Sequence, residues 1–88
     1  MTHIETLRKS INEIDHQIIK LLTKRMDHAK SIGMLKKAQG ISPFHEGRWK
    51  EVLSDRLLLA QEYGLSEELV KKLWNTMHEY AIEVEKRV

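Results

Sequence analysis

Residues 3–38, HIETLRKSINEIDHQIIKLLTKRMDHAKSIGMLKKA, decide the fold of this chain. Apolar side chains recur there at alternating steps of three and four residues, beginning with Ile4, Leu7, Ile11, Ile14, Ile18 and Leu21. This spacing places them on one face of an α-helix. Thr2, followed three residues later by Glu5, is a capping-box signature for the start of that helix. The pattern therefore predicts one helix from about His3 to about Ala38.

The residues that follow contain the signals that end this helix and begin two more. Gly40 is placed to end the first helix, and Ser42 to cap the second, with Pro43 at its first position. The second helix is predicted to end at Tyr63-Gly64, and Ser66 to cap the third. No strand pattern is visible. We therefore predict an all-α fold of three helices, one very long and two shorter, in a single domain that spans residues 1–88.

The predicted first helix is too long for one compact copy of the chain. About 36 residues give a rod of roughly 54 Å, whereas a globule of this chain length is about 30 Å across. Two shorter helices cannot cover the whole apolar face and also pack on each other, so we expect an intertwined homodimer with the long helices side by side. The alternative is an ordinary three-helix bundle whose first helix breaks near Gly33. Trp49, Trp74 and Tyr80 recur at helical spacing and are predicted to be core.

The composition excludes several classes of function. The chain has no cysteine, and its five histidines form no pair at a metal-binding spacing, so no metal site is predicted. There is no glycine-rich phosphate loop, and we predict no cofactor. The absence of a long apolar run predicts no membrane segment, with the cytoplasm as the expected compartment. The net charge of +2 comes from basic residues interleaved with acidic ones, which argues against nucleic acid as a partner.

Three basic residues of the first helix stand out by their positions. Arg25 occupies a site at which the heptad that contains Ile18 and Ile32 requires an apolar side chain. Lys36 lies 11 residues later on the same face, about 16 Å away along the axis, so the two side chains can bracket a small anion. Arg8 lies 17 residues before Arg25, or about 25 Å. If both bind one small molecule, Arg8 must come from the second chain of an antiparallel pair.

The same residues also have structural interpretations. Arg8 alone is compatible with a solvated surface residue. Arg25 is compatible with a structural ion pair to Asp15, Asp27 or Glu85, because a buried guanidinium needs a partner. The pattern by itself leaves the anion site and the structural ion pair open.

At this level of detail the chain resembles the all-helical chorismate mutases. The resemblance covers nearly the whole chain, and its motifs are Leu7-Arg8, Ile14-Asp15, Ile18-Ile19, Leu21-Leu22, Lys24-Arg25, Ile32-Gly33, Lys36, Arg48 and Gly64-Leu65. The order of the cations Arg8, Arg25, Lys36 and Arg48 matches the family in identity and spacing. Residues 48–53, RWKEVL, are most similar to mutase domains that some bacteria fuse to DAHP synthase, the first enzyme of the shikimate pathway. A DAHP synthase domain is therefore an expected partner if the chain is cut from such a fusion.

The resemblance implies an activity and a site. The family rearranges chorismate to prephenate for phenylalanine and tyrosine biosynthesis. This pericyclic (Claisen) reaction needs a compact conformer and stabilisation of the charge that grows on the ether oxygen. By resemblance, Arg8 of one copy and Arg25 of the other hold the substrate carboxylates. Arg48 adds a cation near the enolpyruvyl carboxylate, and Lys36 donates a hydrogen bond to the ether oxygen.

The chain departs from the family at four positions of the implied site. Glu85 replaces a glutamine that is usually the second donor to the ether oxygen. Only the protonated acid can donate, so we expect the rate to increase as pH falls. Trp49 replaces a glutamate that binds the ring hydroxyl, and Ala81 replaces a serine near a substrate carboxylate. His45 stands where an aspartate is common and is expected to contact substrate through its backbone. The resemblance thus gives Lys36, Arg48 and Glu85 as catalytic residues.

Two other functions are compatible with the same residues. Isochorismate pyruvate-lyases share this fold and the four cations, and they also lack the glutamate that Trp49 replaces, although they usually keep glutamine at the position of Glu85. A non-catalytic dimerisation or regulatory module of the same fold would explain the departures at Trp49 and Glu85. A product assay separates the three.

Overall fold

The structure, a computed structural model, describes residues 2–88 and consists of three α-helices. Helix α1 spans His3–Gln39, α2 spans Glu46–Tyr63 and α3 spans Glu67–Arg87. No strand occurs within these residues, which confirms the prediction of an all-α fold. The bounds of α1 agree with the sequence prediction to about one residue at its C-terminus.

Four of the predicted helix ends are formed by the expected residues. Thr2 Oγ1 accepts a hydrogen bond from Glu5 N at 3.2 Å at the start of α1. Gly40 and Gly64 end α1 and α2 with φ of 70° and 68°, a left-handed conformation that favours glycine. Ser66 caps α3, because its Oγ accepts a hydrogen bond from Leu69 N at 3.2 Å.

The predicted start of α2 is wrong. The helix begins at Glu46, and its N-cap is His45 rather than Ser42. His45 Nδ1 accepts a hydrogen bond from Arg48 N at 2.9 Å and so satisfies a backbone donor that the first turn leaves free. Pro43 stays outside the helix and uses its carbonyl oxygen to accept a hydrogen bond from Lys36 Nζ at 2.7 Å. Pro43 is thus bound to α1 and lies three residues before the first residue of α2.

Helices α1 and α3 pass close to each other at Gly33. A Cβ atom at Gly33 would lie 2.7 Å from both Glu85 Cα and Val88 Cγ2, and 2.9 Å from the Glu85 carbonyl oxygen. Helix α1 continues through Gly33 without a break, so the alternative of a first helix broken there is wrong. The missing side chain lets the backbone of α3 pass directly over α1.

The apolar core of one copy is small. The buried apolar residues within 2–88 are Ala29, Ala60, Val70, Ala81 and Val84. The largest of these is a valine, and α3 supplies three of them, because it packs on both α1 and α2. Trp49 and Trp74 are partly covered, but Tyr80 is 49% exposed, so the prediction that Tyr80 is core is wrong for a single copy.

The N-terminal half of α1 projects away from this core. The radius of gyration is 16.3 Å, compared with about 12 Å for a compact chain of this length, and the longest dimension is 57 Å. The predicted apolar stripe is uncovered along this half, and Ile14, for example, is 55% exposed. None of the helices within residues 2–88 combines the length and apolar character needed to cross a bilayer.

Candidate active site

A cleft of about 370 Å³ lies where the three helices meet, and we call it the central cleft. Each helix contributes residues at helical spacing, so one face of each helix forms one wall. The lining residues are Arg25, His28, Ala29, Ile32 and Lys36 from α1; Pro43, His45, Arg48, Trp49, Val52 and Arg56 from the loop and α2; and His78, Ala81 and Glu85 from α3. The cleft thus gathers four arginine and lysine side chains and one carboxylate.

Lys36 and Glu85 face each other across the α1–α3 crossing at Gly33. Lys36 Nζ lies 2.9 Å from Glu85 Oε1, and the two side chains are 24% and 10% exposed. Lys36 Nζ also donates to the Pro43 carbonyl oxygen. Although the charges are paired, Glu85 Oε1 is buried and has no hydrogen bond of acceptable geometry within residues 2–88. An ammonium has three N–H donors, so Lys36 can hold these neighbours and still offer one to a ligand.

Arg25 lines the cleft without a carboxylate partner. It is half-buried, and it makes no ion pair or hydrogen bond within residues 2–88. The structural alternative of an ion pair to Asp15, Asp27 or Glu85 is therefore wrong for this copy. Burial, and secondly the positive charge of Arg56, lower the pKa of Arg25. A partly desolvated guanidinium without a counter-charge is a binding group for an anion.

Arg48 lines the cleft from the first turn of α2. Its Nη1 is 3.4 Å from Glu51 Oε2 in an i, i+3 ion pair whose side chains are both about two-thirds exposed or more. An exposed pair of this kind contributes little to stability, so Arg48 can turn towards a ligand at low cost. His45 lines the same end of the cleft, and its cap fixes the backbone that carries Arg48.

Trp49 forms an aromatic wall together with His78, a residue that the sequence interpretation did not assign to the site. Their rings stack at a centroid distance of 4.0 Å and an angle of 9°, and Phe44 lies 5.9 Å from His78 on a tilted plane. Burial lowers the pKa of His78, and nearby Glu85 partly opposes this shift. His78 is therefore a neutral ring near pH 7. Its spacing of three and seven residues from Ala81 and Glu85 was the available signal.

Of two further predicted site residues, Ala81 lines the central cleft and Arg8 does not. Ala81 lines the cleft and is also part of the α1–α3 core with Ala29 and Val84. Arg8 is exposed and does not line the central cleft. It lies on the same continuous helix as Arg25, about 25 Å away along the axis, so this copy does not bring Arg8 to its own cleft. No group of three or more His, Asp or Glu side chains that could hold a metal ion occurs within residues 2–88.

Comparison with known proteins gives a consistent result. The family model for type II chorismate mutases matches residues 7–86. The chain is 31% identical over 75 residues to a protein named chorismate mutase from Methanocaldococcus jannaschii, which covers 84% of this chain and 75% of that protein. It is 28% identical over 71 residues to the T-protein of Haemophilus influenzae, which covers 81% of this chain and 19% of that protein. The chain therefore belongs to the type II chorismate mutase family.

Proposed function

We propose that this chain, a chorismate mutase and hence an isomerase of aromatic amino acid biosynthesis, rearranges chorismate to prephenate in the central cleft of an intertwined homodimer. The observation that carries the proposal is the gathering of Arg25, Lys36 and Arg48 around one cleft with Glu85 as its single carboxylate. This arrangement suits a small dicarboxylate that carries an ether oxygen. The residues act within one domain, residues 1–88.

The second copy is proposed because one copy leaves its most apolar surface in water. Ile4, Leu7, Ile11, Ile14, Ile18 and Leu21 are each between 47% and 63% exposed, and they share one face of α1. Burying a half-exposed side chain of this size contributes about 1 kcal/mol. A second α1 covers the stripe along its length. An antiparallel arrangement also brings Arg8 of the second copy towards the cleft that contains Arg25, so that each cleft takes residues from both chains.

The proposed chemistry requires positioning rather than a nucleophile. Arg25 and Arg8 of the second copy hold the carboxylates, and Arg48 adds a cation near the enolpyruvyl group. Holding both carboxylates of chorismate favours the compact conformer in which the two reacting carbons are close. The ether C–O bond then breaks as a C–C bond forms, and negative charge grows on the ether oxygen. Lys36 donates to that oxygen, and an interaction that strengthens in the transition state accelerates the reaction.

Glu85 has two proposed roles that depend on its proton. As a carboxylate it holds the Lys36 ammonium, from which its Oε1 is 2.9 Å away. As the neutral acid it is the second donor to the ether oxygen, because a carboxylate has no hydrogen to donate. The proposal therefore includes a rate that rises as pH falls. His45, Trp49 and Ala81 complete the walls against which the substrate ring packs.

The experiment that tests this function is a product assay. Purified protein is mixed with chorismate, and in parallel with isochorismate, and the products are identified by mass and ultraviolet absorbance. We expect prephenate from chorismate and no product with Arg25→Ala, which should keep its oligomeric state. Salicylate and pyruvate from isochorismate alone would assign the chain to the lyases, which also lack the glutamate that Trp49 replaces. Turnover of neither would leave a dimerisation module.

If the chain is cut from a fusion, the proposed partner beyond a second copy is a DAHP synthase domain, because residues 48–53 are similar to mutase domains fused to that enzyme. Co-elution of this chain with a DAHP synthase from the same organism would support it, and separate elution would count against it.

A further inference from the structure

Arg56 is a cleft residue that the family resemblance does not assign to the site. It lies on α2 two turns after Arg48, about 12 Å along the helix axis. Trp49 and Val52 lie between the two arginines and line the same wall. One face of α2 therefore presents an aromatic and aliphatic wall with a guanidinium at each end.

Arg56 on α2 and Arg25 on α1 line the same cleft. The charge of Arg56 contributes to lowering the pKa of Arg25, second only to burial. Neither group is paired with a carboxylate of the cleft, because Glu85 pairs with Lys36. Arg25 has no ion pair within residues 2–88, and Arg56 pairs only with its sequence neighbour Asp55, which is 58% exposed. Arg56 itself is 31% exposed. Two partly desolvated cations repel each other, and an anion held between them removes that repulsion.

We propose that Arg56 is a further substrate-binding residue, which holds one carboxylate of the substrate together with Arg25. This inference rests on the proposed function, because it concerns the same cleft and the same dicarboxylate. Each guanidinium is planar and offers paired N–H groups to a carboxylate oxygen pair. Arg25 approaches the carboxylate from α1 and Arg56 from α2. The bound substrate therefore contacts both α1 and α2, each of which packs on α3.

The test compares Arg56→Gln, Arg56→Lys and Lys72→Gln by steady-state kinetics with chorismate. Lys72→Gln is a matched control, because it removes the same charge from an exposed i, i+4 pair with Glu68 outside the cleft. The carboxylate contact exists in both the ground state and the transition state, so Arg56→Gln should raise KM about 10- to 100-fold and change kcat by less than about threefold. Arg56→Lys keeps the charge but loses the paired N–H geometry, and its KM should lie between those of wild type and Arg56→Gln. Lys72→Gln should behave as wild type.

The outcomes separate this inference from the proposed function. If wild-type protein turns over chorismate and Arg56→Gln has a KM within about twofold of wild type, the inference is overturned and the function stands. A KM raised equally in Arg56→Gln and Lys72→Gln would mean a general charge effect and would also overturn it. If wild type does not turn over chorismate, calorimetric titration with chorismate decides. Weaker or absent binding by folded Arg56→Gln, with its thermal midpoint unchanged, supports the inference. Equal binding by the variant and wild type, or no binding by wild type, overturns it.

Discussion

Substitution of Gly33 by alanine tests whether the α1–α3 crossing sets the geometry of the site. The added Cβ would lie 2.7 Å from Glu85 Cα and 2.9 Å from the Glu85 carbonyl oxygen. These are backbone atoms, so no rotamer change can relieve the contact. Helix α3 must move away from α1 by about 1 Å to reach ordinary van der Waals separation.

The stability and activity effects of Gly33→Ala should differ in size. Overpacking costs about 1–3 kcal/mol, while alanine gains about 1 kcal/mol over glycine in a helix interior. The free energy of unfolding should therefore fall by about 2 kcal/mol at most. The same movement displaces Glu85 from Lys36, now 2.9 Å apart, and a misplacement of about 1 Å in a catalytic group costs roughly 100-fold in rate.

The assay is kcat for chorismate at 25 °C together with the thermal midpoint, for Gly33→Ala and for Ser31→Ala as a control. Ser31 is exposed two residues away on α1 and is not among the cleft residues. We expect kcat to fall about 100-fold for Gly33→Ala and to stay near wild type for Ser31→Ala. A Gly33→Ala protein with wild-type kcat and an unchanged or higher midpoint would refute the argument that this crossing positions Lys36 and Glu85.

Three further predictions concern the shared site and its titrating groups. Arg8→Ala and Arg25→Ala should each be inactive. After the two variants are refolded together in equal amounts, about a quarter of wild-type activity should return, because half of the dimers then contain one intact cleft. No recovery would argue against a cleft shared between chains. Glu85→Gln should raise kcat at about pH 7.5, since an amide donates a hydrogen bond and a carboxylate has no hydrogen to donate. An unchanged or lower kcat would remove Glu85 as a donor. Burial lowers the pKa of His78; Arg25 and Lys36 add to this shift, and Glu85 and Glu79 oppose it. The contribution of His78 to stability is therefore complete above about pH 6.5 and is lost as pH falls through the lower folded-state pKa. The urea midpoint should therefore drop on going from pH 7.5 to 5 by less in His78→Phe than in wild type, and equal drops would contradict the assignment.

The long-range features of α1 were predictable because they depend on a repeat. The 3-4 spacing of apolar residues fixed the length of the helix, and Thr2 and Gly40 marked its ends by local backbone chemistry. The same periodicity singled out Arg25 as a cation on an apolar face. Lys36 followed from Arg25, because a fixed rise per residue converts sequence distance into position along a rod.

Features that depend on contacts between helices were not predictable in the same way. The cap at His45 forms while Pro43 accepts a hydrogen bond from Lys36, a contact that no local pattern encodes. Gly33 looked like a weak point in α1, but its role is steric and becomes visible only with α3 in place. Arg56 was missed for the same reason, because its place in the cleft opposite α1 depends on how the helices pack.

The imbalance of charge in the central cleft has a consequence for how molecules enter and leave it. Four cations face a single carboxylate, so the cleft should attract a dianion over a distance of about 8 Å at physiological ionic strength and accelerate its diffusional encounter. An intramolecular rearrangement leaves the charge of the molecule unchanged, however, and prephenate keeps both carboxylates. The electrostatic field that captures the substrate therefore also retains the product, and rapid capture comes with slow release and with competition from product as it accumulates.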